Sequence, residues 1–114
     1  MPTDAHIVKS YTAEIEHLTA LIAEMGGYAE TAVAEAVQAL RRRDSDRANR
    51  VIEGDRRIDA LEEQVSASVV RMLALRQPMA ADLRTIVACL KIAGDLERIG
   101  DYAKNIAKRT VILN

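Results

Sequence analysis

Apolar residues at Ile7, Tyr11, Ile15, Leu18, Ile22, Met25, Ala29, Ala32, Ala36 and Leu40 recur every three or four positions. That spacing lines one face of an α-helix over many turns and predicts a first helix over about residues 5–42. Thr3 and Asp4 are suited to cap its start, and the run Arg41-Arg42-Arg43 suits its end, where cations oppose the helix dipole. Gly26-Gly27 interrupts the middle, at about 1 kcal/mol per glycine relative to alanine, and predicts a mild kink or a close helix contact. After Asp44, Ser45 and Asp46, which can cap a new helix, the period resumes at Val51, Ile58, Leu61, Val65, Val69, Met72 and Leu75. A second helix over about 46–76 follows. Gln77-Pro78-Met79 breaks the chain, because proline lacks a backbone donor and pushes its predecessor out of the helical region. A third helix over about 80–111 carries Ile86, Cys89, Ala93, Leu96, Ile99, Ala103 and Ile106 on a broad apolar face. Three long helices with short turns run up, down and up and pool their stripes in one core. The expected fold is an all-α antiparallel three-helix bundle, with residues 1–114 as a single domain.

The composition agrees with this reading. The chain is 49% apolar and 29% charged, has no Trp or Phe, and is rich in helix formers. A formal net charge of -1 argues against a general electrostatic nucleic-acid binder, which needs an excess of Lys and Arg on one face. The single cysteine, Cys89, falls on an apolar face and reads as a core residue in a reducing compartment. No apolar run reaches the roughly 20 residues of a membrane span, and the first residues lack the apolar centre of a signal peptide. Cytoplasmic placement is the resulting expectation.

Charge placement changes the picture. Asp55 and Asp59 are four residues apart, as are Glu97 and Asp101, so each pair shares a helix face about 40° wide. Like charges at this spacing repel. Folding helices 2 and 3 back about Pro78 brings Asp59 level with Glu97, each 19 positions away, and Asp55 level with Asp101, each 23 away. Both pairs are offset from their apolar stripes in the same rotational sense. In an antiparallel pair they therefore point toward each other or apart, according to the hand of the bundle. If they converge, with Glu62 one turn further on, the cluster must take up protons or a hard or borderline cation. The competing reading pairs the acids with Arg56, Arg57 and Arg98 as solvated salt bridges. Gly54, Gly94 and Gly100 lie beside the acids, where propensity alone selects alanine, and predict close backbone approach.

Little else suggests chemistry. His6 and His17 read as surface residues, Ser66 and Ser68 have no adjacent base and read as helix surface, and no glycine-rich phosphate loop occurs. Di-iron bundles use Glu-x-x-His pairs, which the acid-bearing helices lack. An enzyme is not expected. A plain interaction bundle with solvated acids shares the same fold and stays open.

At these acids the chain becomes recognisable. DLERIGDYAKNIA, together with MGGYAE, DSDRANRVIEGDRRID and RQPMAADLR in that order, resembles the PhoU family of bacterial phosphate regulators across nearly the whole chain. The resemblance implies two E/D-x-x-x-D motifs holding a multinuclear iron or zinc cluster, with Asp55, Asp59, Glu97 and Asp101 as ligands and Glu62 as a helper. All-oxygen ligation suits iron, and zinc, manganese, magnesium or calcium could replace it. It also implies negative control of phosphate uptake and of the phosphate-starvation response, by docking to the ATPase of a phosphate ABC transporter and to a PhoR-type sensor kinase. Any membrane association would be through those partners. Family members carry two such units, so the resemblance implies an N-terminal half, with two copies expected to pair as a homodimer.

Overall fold

The computed structural model describes residues 4–75 and 80–114, with side chains from residue 11 onward. It contains three helices, α1 (Asp4–Arg42), α2 (Ser45–Leu75) and α3 (Ala80–Leu113), in mutual contact within a rod of 63 × 17 × 17 Å. The 39 residues of α1 span about 58 Å at 1.5 Å per residue, so this one helix sets the length of the rod. The expected Thr3 cap and the break at Gln77-Pro78-Met79 lie outside the described residues.

The turn between α1 and α2 is closed by backbone chemistry. Arg43 adopts the left-handed conformation (φ 53°), its N–H donates to the Leu40 carbonyl (3.4 Å), and the Asp44 N–H reaches the Ala39 carbonyl (2.9 Å). This pair of bonds satisfies carbonyls left open at the end of α1, a position where glycine is the usual occupant. Asp44 then caps α2: its carboxylate accepts from the Arg47 N–H at 3.0 Å. At the end of α3, the Asn114 amide donates to the Arg43 carbonyl and to Ser45 Oγ, each at 2.9 Å. The far end of α3 therefore meets the start of α2, which makes the two antiparallel and leaves α1 and α3 parallel.

The stripes meet in two adjoining cores. One is built from bulky side chains, with Leu18, Met25, Ile58, Val65, Met72 and Ile86 almost fully buried. The other is built from Ala36, Ala39, Ala48, Val51, Ala103 and Ala107. Cys89 belongs to the first, and burial pushes its thiol pKa up. Thr110, also buried, satisfies its hydroxyl on the Ile106 carbonyl (3.1 Å). Several expectations need correction. Leu40, Leu75 and Ile99 lie on the predicted stripes yet are 45%, 70% and 39% exposed, because the far edges of long stripes rotate past the helices they face. Ser68, expected on the surface, is buried in the interface. Gly26 and Gly27 lie in an uninterrupted α1, and a Cβ at either would meet nothing within 4 Å, so no close helix contact explains them.

Candidate metal centre

Asp55 sits between Val51 of the alanine-lined core and Ile58 of the bulky one, and only 3% of its surface is exposed. A carboxylate this deep needs room and partners. Room comes from Gly100 on α3: a Cβ there would stand 2.9 Å from Asp55 Oδ1 and 2.9 Å from Ile58 Cδ1. The expectation of close approach holds at Gly100 alone, since a Cβ at Gly54 or Gly94 would meet nothing within 4 Å.

The two acid pairs point toward each other. Carboxylate oxygens of Asp55, Asp59 and Asp101 all lie within 4.8 Å of one another. Glu97 is not part of that trio, although it faces the same field; Glu62, Asp59, Asp101 and Asp55 all repel its charge. Glu62 is engaged locally, accepting a hydrogen bond from Ser66 Oγ at 2.9 Å. Burial first, then repulsion by Asp59 and Asp101, raises the Asp55 pKa above the usual carboxylate range, and Lys104 opposes the rise. Glu97 is raised by burial and then by the surrounding acids, Glu62 first.

Among the described residues, none of Arg56, Arg57 and Arg98 forms an ion pair with these acids. Arg98 pairs with Asp95 at 3.3 Å, and Arg57 lies over the Tyr28 ring, 5.7 Å from its centroid. The positive group at the site is Lys104, whose Nζ is 3.7 Å from Asp55 Oδ2. Sequence reasoning missed it, although its place three residues after Asp101 on the same helix was a readable signal. Asp55 Oδ1, on the other side of that carboxylate, is buried and has no hydrogen-bond partner among the described residues. His17 is exposed on α1, and the His6 side chain lies outside the described residues.

Three clustered carboxylates, one of them with an orphaned buried oxygen, fit a hard cation. Two oxygens on opposite sides of an ion bound at 2.3–2.6 Å are about 5 Å apart, close to the observed spread. Comparison with known proteins supplies the context. A family profile described as the PhoU domain matches residues 22–110. The chain belongs to the PhoU family.

Among PhoU relatives, it is 53% identical over 108 residues to the phosphate-specific transport system accessory protein PhoU homolog of Caulobacter vibrioides (strain NA1000 / CB15N), covering 95% of this chain and 47% of that protein. It is 40% identical to the phosphate-specific transport system accessory protein PhoU of Escherichia coli (strain K12), across 90% of this chain and 43% of that one. The crystal structure of PhoU from Pseudomonas aeruginosa superposes with a TM-score of 0.87 at 43% identity, over 90% of this chain and 49% of the other. The chain thus spans a little under half the length of the PhoU proteins it matches. Among the described residues, no helix is long and apolar enough to cross a membrane.

Proposed function

We propose that this chain takes part in restraining phosphate uptake and phosphate-starvation signalling, as a cytoplasmic docking module that performs no catalysis. Its partners are the ATPase of a phosphate-specific ABC transporter and a PhoR-type sensor kinase, and two copies pair as a homodimer. The names of its relatives, phosphate-specific transport system accessory proteins, support the phosphate assignment. Two observations carry the metal reading: Asp55, Asp59 and Asp101 bring carboxylate oxygens within 4.8 Å of one another, and Asp55 Oδ1 is buried with no hydrogen-bond partner among the described residues. Asp55, Asp59 and Asp101 hold the metal, with Glu97 and Glu62 flanking it; iron suits the oxygen donors, and zinc is the runner-up.

A bound cation supplies positive charge where several acids converge. The chain's own residues do the rest. Gly100 admits the Asp55 carboxylate, Ser66 steers Glu62, and Lys104 holds the second oxygen of Asp55. A second reading has one observation in its favour: Lys104 already serves as a resident cation, which suits an adaptor bundle with no metal. Metal analysis of protein purified without added metal separates the two. The proposal expects iron or zinc in the parent, and loss of most of it in Asp55→Ala and Asp101→Ala. Equal metal content in parent and variants would overturn the ligand assignment. For docking, a pull-down of a full-length relative against the transporter ATPase and the sensor kinase is the test, and binding to neither would sink it.

A further inference from the structure

A second polar feature lies in the groove that α2 forms with α1, where a cavity of about 190 Å³ is lined by arginines and an aromatic ring. Arg50 and Arg57 are seven residues apart, which puts them within about 20° of one face of α2 and roughly 10.5 Å apart along its axis. Gly54 lies between them, and nothing stands within 4 Å of where its Cβ would be. The floor between the two guanidinium groups is therefore open. Among the described residues neither Arg50 nor Arg57 makes an ion pair, and Arg57 lies over the Tyr28 ring. The single acid on the cavity wall, Glu35, is occupied by Arg47 Nε at 3.1 Å, and Arg47 is held in turn by Asp44 at 3.9 Å.

We propose that this groove is a binding site for a phosphate group, free or carried on a small organic molecule, held between Arg50 and Arg57 above Gly54. Each guanidinium is a planar fork that matches two acceptor oxygens, so two forks call for an anion with more oxygens and more charge than one carboxylate. A phosphate group at neutral pH carries close to two negative charges and three terminal oxygens. The cavity lies below the roughly 300 Å³ at which pockets for drug-sized ligands begin, which favours inorganic phosphate or a compact ester over a nucleotide. Tyr28 and Val51 give the body of an ester an apolar wall. The site is separate from the carboxylates and does not depend on a metal there.

The test is calorimetric titration of the 114-residue chain, stripped of metal with a chelator and dialysed, with inorganic phosphate, phenyl phosphate and acetate at constant ionic strength. Saturable binding of inorganic phosphate supports a free-anion site, and binding of phenyl phosphate alone supports an ester site. Arg50→Gln and Arg57→Gln should each weaken binding at least tenfold, and Arg50→Lys, which keeps the charge and loses the fork, should weaken it less. Gly54→Leu should abolish binding with all charges in place, whereas Arg56→Gln should leave it unchanged. Circular dichroism confirms that each variant is helical. No binding of either phosphate, acetate binding as tightly, or equal affinity in parent and arginine variants would overturn the site.

Discussion

The two cores of the bundle hold the same three helices together by different means. Around Leu18, Met25, Met72 and Ile86, bulky side chains fill the space between helices, and each buried one contributes about 1.5–3 kcal/mol. Around Ala36, Ala48, Ala103 and Ala107 there is little side chain to bury. Here the helices are joined through buried alanines, the hydrogen-bonded turn at Arg43 and the contacts of Asn114. Asp55 occupies the seam between the two cores, where a single glycine, Gly100, leaves room for a carboxylate. A bulky neighbour would exclude it, and a wider gap would let water reach it.

Either core can be disrupted separately. The largest effect is expected in the bulky core: Met25→Ala should cost about 2–5 kcal/mol in urea unfolding, since it removes transfer energy and leaves a cavity. A loss under 1 kcal/mol would mean that this end is loosely packed. In the small-residue core the damaging change is enlargement. Ala103→Leu should cost about 1–3 kcal/mol by forcing α3 away from its neighbours, with helicity retained.

Next comes the seam itself. The pKa values of Asp55 and Glu97 are raised in the fold, so in metal-free protein the native state binds more protons than the unfolded chain just above the ordinary carboxylate range. Unfolding stability should therefore rise as pH falls from neutral through the raised values. The rise levels off once the unfolded chain is protonated as well. Asp55→Asn should flatten the profile, leaving the share due to Glu97; a profile identical to the parent's would contradict the electrostatic account. The smallest expected effect is a gain, because Gly94→Ala meets no neighbour and should stabilise the helix by about 0.5–1 kcal/mol. A loss there would indicate a close approach that the structure does not contain.

The architecture was legible because three stripes at helical period allow few arrangements, and because Arg43-Asp44 and Pro78 punctuate them. Side-chain exposure at the stripe edges was less so. Leu40 and Ile99 keep the period, but a period does not say how wide the partner's footprint is. Within the site, equal distances from Pro78 placed the acids at one height, while the hand of the bundle, invisible in a linear pattern, decided that they converge. Glu97 shares that height without joining the three oxygens, and no spacing rule separates it from Asp59. Helix propensity marked Gly54, Gly94 and Gly100 as equally odd, yet only the neighbours of each reveal that Gly100 alone is crowded. Lys104 escaped notice because attention to like charges passes over the cation on the same face.

The left-handed Arg43 has a consequence for how the family's sequences can drift. The chain reverses direction over a residue whose backbone geometry favours glycine, so the conformation is enforced by its surroundings: the bond from Asp44 to Ala39, the cap on Arg47 and the Asn114 amide seated on its carbonyl. A hairpin built this way is a keystone joint. Its shape belongs to the pieces leaning on it, so exchange at Arg43 itself should be tolerated more readily than loss of the Asp44 carboxylate, which caps α2.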